Sequence, residues 1–171
     1  MKAKPILQTQ DELNELFVYN PLNGKLYNRI HLGTRARQGQ EAGTLSAFGY
    51  RTVVVASLHH MAHRIIWKMV HGSDPVEQMD HINHQRDDNR MENLREVTPL
   101  ENQRNASMGK NNTSGVTGVH WEENRQQWKA TIMVEEKLVF LGRFIHFWKA
   151  VRARKLAEIG YGFHQNHGQT A

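Results

Sequence analysis

Residues 79–105, MDHINHQRDDNRMENLREVTPLENQRN, constrain the fold more than any other part of the chain. They read as strand, loop, strand and helix. Asp80-His81 closes the first strand, a polar loop follows, and residues 94–97 form the second strand. The helix start carries three coincident signals. Thr98 suits the N-cap, and Glu101, three residues on, completes a capping box. Pro99 lacks an N–H and so fits only the first helical turn, at N1. Together they place Asn102 in that first turn, on an element packed behind the two strands. Adjacent residues of a strand face opposite sides, so Asp80 and His81 diverge, and one can hold a metal while the other faces a substrate.

The residue types suit phosphodiester hydrolysis. Asp80 and Asn102 are hard oxygen donors of the kind Mg²⁺ takes while keeping waters and phosphate oxygens as its other ligands. Mn²⁺ or another divalent cation fits the same donors. His81, with an unperturbed pKa of about 6.5, suits the deprotonation of a water for in-line attack. Its other ring nitrogen needs a partner, expected from a backbone carbonyl or Asn93. Asn89 reads as a loop brace, and Asp87 and Asp88 as solvated. Arg90 and Arg95 are candidates to clamp phosphate, with pairing to Glu92 or Asp88 as the alternative.

Around this stretch the chain is α+β. Residues 10–18 read as a short helix with Leu13, Leu16 and Phe17 on one side, and Asn23-Gly24 as a hairpin turn. Residues 31–44 form a Gly-rich loop whose Arg35 and Arg37, with Arg51 beyond it, are candidate phosphate contacts. Residues 51–58 read as one β-branched strand. In the helix 61–71, Ala62, Ile65, Ile66, Met69 and Val70 make one buried stripe, with His63 and Arg64 off it. Residues 106–114 are polar and aperiodic, a linker. Beyond it, strands at 115–121, 128–134 and 137–144 and a helix at 147–160 form a second small domain, and the end of the tail reads as disordered.

Composition bounds the function classes. The 171 residues contain no cysteine, which removes disulfides and thiolate zinc sites and fits a reducing cytoplasm. No apolar run approaches the roughly 20 residues a membrane helix needs, and no signal-peptide core develops. A soluble intracellular protein is expected. The net charge of +5 is spread over both parts, 14 Lys/Arg against 12 Asp/Glu in residues 1–114 and 8 against 5 in 115–171. This balance favours a polyanionic partner only weakly.

The runs AHRIIWKMVHG, MDHIN and DDNRMENLREVT, with the following Glu-Asn, resemble the HNH homing endonucleases of ββα-metal fold found in phage genomes. The resemblance covers roughly residues 15–105. It implies His81 as general base, Asp80 and Asn102 as metal ligands, and Asn93 as the residue that braces the loop. His63-Arg64 matches a frequent element of the family just upstream, placed with the DNA contacts. Where the family commonly has Gly after the DHIN run this chain has His84, a position where φ > 0 strains a side chain. Residues 115–171 resemble the AP2 DNA-binding domain, whose sheet enters the major groove. That resemblance puts His120, Lys129, Thr131, Met133 and Arg143 on an exposed reading face, with fewer arginines and tryptophans than the plant domains carry.

The expected protein is therefore a Mg²⁺-dependent HNH endonuclease acting on double-stranded DNA, with residues 1–105 as the nuclease and 115–171 as a DNA-binding domain. It is expected to be phage-encoded and to work as a monomer or homodimer. A catalytically silent DNA-binding regulator or adaptor is the rival reading. RNA as the polymer is a weaker one.

Overall fold

Thr9 opens the first helix, α1 (Gln10–Leu16), through a capping box in which Thr9 Oγ1 accepts from Glu12 N and the Glu12 carboxylate accepts from Thr9 N at 2.7 Å. The helix stops two residues before the sequence-based expectation. Phe17 and Val18 instead begin β1 (Phe17–Asn20), because their aromatic and β-branched side chains pair with β2 (Lys25–Asn28) in the register Phe17↔Asn28. Gly24, at φ +70°, closes the hairpin as Asn23-Gly24 predicts. The computed structural model describes residues 4–109 and 111–169. The chain packs as two units, residues 1–98 and 99–171.

In the first unit, β3 (Thr44–Leu45), β4 (Arg51–Val55) and β5 (Leu58–Met61) form an antiparallel sheet in that order. The single strand expected over 51–58 is instead a hairpin, with Val55 opposite Leu58. Its two-residue turn, Ala56-Ser57, holds φ of +45° and +65°. A tight hairpin needs positive φ at both central positions, but neither Ala nor Ser announces it. Helix α2 (Ala62–His71) follows directly and ends on left-handed Gly72. Leu13, Phe17, Leu26, Val53, Val55, Ile65 and Ile66 are almost fully excluded from water and form this unit's core. Two positions of α2 differ from the expected stripe. Val70 is exposed, while His63 is buried in its place.

The strands β6 (Gln78–His81) and β7 (Leu94–Val97) pair antiparallel with Asp80 opposite Arg95 and His81 opposite Leu94. The unit boundary falls between Thr98 and Pro99, earlier than the expected linker.

The second unit starts with α3 (Pro99–Arg104), which begins at Pro99 as the N1 preference requires. Residues of the expected linker are tied into this unit: Met108 N donates to Gln169 O and Gly168 N to Ala106 O. Lys110 of that linker, and residues 170–171 of the tail expected to be disordered, lie outside the described residues. The sheet runs β10 (Lys137–Phe144), β9 (Gln127–Val134), β8 (Val119–Glu122), all antiparallel, with α4 (Phe147–Gly160) against it. The strand expected from residue 115 starts at 119, because Gly115 and Gly118 both take φ +76° and Ser114 Oγ donates to Val119 O, folding 112–118 into turns. A Cβ on Gly118 would sit 2.3 Å from Thr131 O. On α4 the buried face combines Ala150 with Arg154 and Glu158. Arg154 is satisfied there by Glu158 Oε1 (2.9 Å), Thr131 O (2.6 Å) and His167 Nε2 (3.0 Å).

Candidate active site

The first unit concentrates its buried polar groups between β6 and β7. Asp80, His81, His84, Asn89 and Asn93 are all at most 8 % exposed. Groups of this kind are costly to bury unless partnered, so the hydrogen bonds of the loop that joins the strands define the site.

That loop, residues 82–93, is closed on itself. Asn93 sits at the end of a 3₁₀ turn (Met91–Asn93) and its amide reaches loop backbone on both sides, Oδ1 accepting from Asn83 N (2.9 Å) and Nδ2 donating to Asp88 O (2.7 Å). Asp88 is ion-paired rather than solvated: its carboxylate accepts from Arg90 Nε and Nη2 (2.8 and 2.7 Å) and from Asn83 Nδ2 (2.8 Å). The Arg90 contact holds its pKa down at about 2. Asp87 is likewise engaged, by both Arg51 Nε and Nη2. His84 has φ +64°, the strained conformation that the resemblance implies at this position, and is buried.

The N-terminal hairpin supports the loop from outside it. Tyr19 Oη donates to Asn89 O and accepts from Met91 N, each at 3.2 Å. The hairpin turn presses so close that a Cβ on Gly24 would lie 2.5 Å from Arg90 N.

His81 lies on the inner side of β6. Its ring packs edge-on against His63, with centroids 5.2 Å apart, and beside Tyr50 at 5.9 Å. Its Nε2 lies 3.0 Å from Asn89 Oδ1. The expected orienting carbonyl, from backbone or Asn93, is therefore replaced on this nitrogen by the Asn89 side chain. Nothing in the sequence marks Asn89 for this, because Asn in a loop most often bonds its own backbone. Burial lowers the His81 pKa, and the Asn89 contact acts against that shift. Burial pushes His63 much further, to about 3. His63 is thus a buried packing partner of the His81 ring.

Asp80 pairs across the strands with Arg95, whose Nε (3.0 Å) and Nη2 (2.8 Å) both reach Oδ2. Arg95 thus pairs with neither Glu92 nor Asp88. Asp80 offers a carboxylate oxygen, a hard donor in kind, but among the described residues no three His, Asp or Glu side chains converge on a metal position. Mg²⁺ is commonly bound through one or two carboxylates with waters and phosphate oxygens completing its shell. Asn102 belongs to the second unit, half-buried on α3.

Of the remaining candidates, Arg64 faces Asp74 at 3.8 Å and Arg51 also contacts Glu41 at 3.0 Å. Arg35 and Arg37 are exposed on a loop pinned at its base, where Asn28 N donates to Gln40 O and Asn28 Nδ2 to Arg37 O. In the second unit, register puts His120, Lys129 and Arg143 in one row across the sheet, with Thr131 and Met133 on the same face. Thr131 is only 7 % exposed, against the expected exposure. Glu122 reaches both Lys129 (3.3 Å) and Arg143 (2.5 Å), and the Arg143 contact holds its carboxyl at about 2.

Residues 60–104 match the family described as HNH endonuclease. The matched segment contains α2, both strands of the site and α3. The chain is also similar to Protein 3.8 of Escherichia phage T7, 34 % identical over 76 residues, 44 % of this chain. It spans 63 % of that relative's length. No solved structure matches the chain. Among the described residues, no helix is long and apolar enough to cross a membrane.

Proposed function

We propose that the chain is a divalent-metal-dependent endonuclease that hydrolyses phosphodiester bonds of double-stranded DNA at Asp80 and His81. The observation that carries this reading is the buried, hydrogen-bonded His81 beside Asp80, within the segment that matches HNH endonucleases. His81 takes a proton from the attacking water. The lowered pKa keeps the ring neutral, and hence able to accept a proton, at neutral pH. Asp80 would hold the cation through its carboxylate. When bound, Mg²⁺ or Mn²⁺ supplies positive charge opposite the phosphoryl and leaving oxygens. Asn93 keeps the loop closed beneath His81. Arg95 holds Asp80 in a fixed orientation before a metal arrives.

DNA is gripped at a distance from the reacting atoms. Arg35 and Arg37 stand exposed in a loop, 29–40, that contains three arginines, one histidine and no acid. Arg90 and Arg51 act mainly on the loop that carries the site. The AP2-like second unit presents His120, Lys129 and Arg143 to the duplex. One such site cuts one strand at a time, so a monomer nicks and a homodimer cuts both strands. Similarity to a phage protein supports a phage-encoded enzyme working in the cytoplasm of a bacterial host.

The test is conversion of supercoiled plasmid to nicked or linear form with Mg²⁺, with chelator, and with the His81→Ala variant. Cleavage that needs the metal and is lost in the variant is expected. Binding without cleavage under any divalent cation would instead establish the silent DNA-binding adaptor.

A further inference from the structure

Asn89 is the least explained polar group near His81. It is 2 % exposed, and a buried amide of this kind has a structural cost unless both its ends are bonded. Its Nδ2 points at Asp87 O (3.4 Å), a carbonyl that can only accept, so Oδ1 is the end that meets His81 Nε2 at 3.0 Å. An amide oxygen can only accept as well. The proton of a neutral His81 ring must then sit on Nε2, which leaves the lone pair on Nδ1.

The surroundings fix Asn89 more firmly than a loop brace requires. Its own carbonyl is held by Tyr19 Oη, the next residue is clamped to Asp88, and the Gly24 turn leaves no room for the Asn89–Arg90 backbone to retreat. His63 and Tyr50 pack against the imidazole, with ring centroids at 5.2 and 5.9 Å.

We propose that Asn89 is a positioning residue that selects the His81 tautomer, holding the proton on Nε2 and presenting Nδ1 as the proton-accepting atom. The role in cleavage rests on His81 being the general base. The tautomer itself does not, and the two are tested separately.

Two-bond ¹H–¹⁵N correlation spectra of the full-length chain at a single neutral pH, with His81 assigned by its loss in His81→Ala, read the tautomer directly. Wild type is expected to show a pyrrole-type Nε2 and a pyridine-type Nδ1. Asn89→Ala is expected to show averaged shifts from a mixture, and Asn89→Asp, which keeps an accepting oxygen, to retain the wild-type pattern. In single-turnover cleavage Asn89→Ala is expected to lose about tenfold or more of the ~10²–10⁴-fold a placed base supplies, with DNA affinity within about twofold of wild type by the same argument. A wild-type spectrum with the proton on Nδ1 overturns the proposal whatever the variants do, including one in which Asn89→Ala fails to fold. Unchanged tautomer and rate in a folded Asn89→Ala also overturn it. If the wild type cuts no DNA, the nuclease reading fails while the spectra still decide the role of Asn89.

Discussion

The loop under His81 and the loop at 29–40 are both polar, both arginine-bearing and of similar length, yet they use arginine in opposite ways. Around the loop under His81 three arginines meet carboxylates, Arg90 with Asp88, Arg95 with Asp80, and Arg51 with Asp87 and Glu41, while Arg86 donates to Phe48 O and lies over the Tyr50 ring. In the 29–40 loop Arg29, Arg35 and Arg37 are exposed, and none has a carboxylate partner among the described residues. Paired arginines fix geometry, whereas solvated ones keep their charge available for phosphate. The same residue type thus fixes local geometry around one loop and stays solvated in the other.

The sharpest way to break this division is at the site itself. His81→Ala is expected to reduce cleavage by about 10²–10⁴-fold, the usual contribution of a positioned base, while gel-shift affinity for DNA stays near wild type. Comparable loss of binding would mean that the site loop also grips DNA and that the division is false.

Gly24→Ala tests whether the N-terminal hairpin holds the loop in place. Positive φ and the 2.5 Å approach to Arg90 N predict a loss of about 1–3 kcal/mol in urea unfolding. Cleavage is expected to fall with it, because Asn89 and Arg90 must shift.

Burial of His63 makes a pH prediction. Its folded pKa of about 3 lies below the unfolded value near 6.5. Between these values the unfolded chain binds the extra proton, so the contribution is intact above pH ~6.5 and is lost as pH falls toward 3. The slope is up to about 1.4 kcal/mol per pH unit. Urea unfolding at a series of pH values is expected to show a flatter profile for His63→Phe. An unchanged slope would mean that His63 is charged in the folded state.

Smaller effects come from the solvated cations. Arg35→Ala with Arg37→Ala is expected to leave the melting temperature unchanged and to reduce the slope of log affinity against log salt by about 2, close to one for each phosphate no longer neutralised. An unaltered slope would leave the 29–40 loop without a role in binding. Glu122→Gln turns the paired arrangement of the second unit into an unpaired one by releasing Lys129 and Arg143. A rise in DNA affinity of about a few-fold is expected, because an exposed ion pair of this kind is weak. Weaker binding would place Glu122 itself at the DNA.

Much of the fold was legible because its signals are local. Asn23-Gly24 marks its turn, Gly72 ends α2, Pro99 starts α3, and the bounds 147–160 of α4 follow from chain pattern alone. The misses share a cause. Ala56-Ser57 makes a tight turn without turn residues, and Phe17 leaves its helix because a partner strand is waiting. At the site, sequence spacing singled out Asp80, His81 and Asn93. It left Asn89 as a brace and Asp88 as solvated, because their partners, His81 and Arg90, depend on how the loop folds back.

The sequence by itself determined which chemistry is available: a carboxylate and an imidazole adjacent on a strand end, no thiols, and a helix start fixed by Pro99. Tertiary structure decided how that chemistry is poised. His81 lies against Asn89, His63 and Tyr50, residues that come from three other segments, and only the closed loop brings them within hydrogen-bond or ring-packing range. Periodicity and capping act over a few residues, whereas desolvation and pairing depend on every group that surrounds a side chain. That is why His81 was readable in the chain as a candidate and its burial and lowered pKa were not.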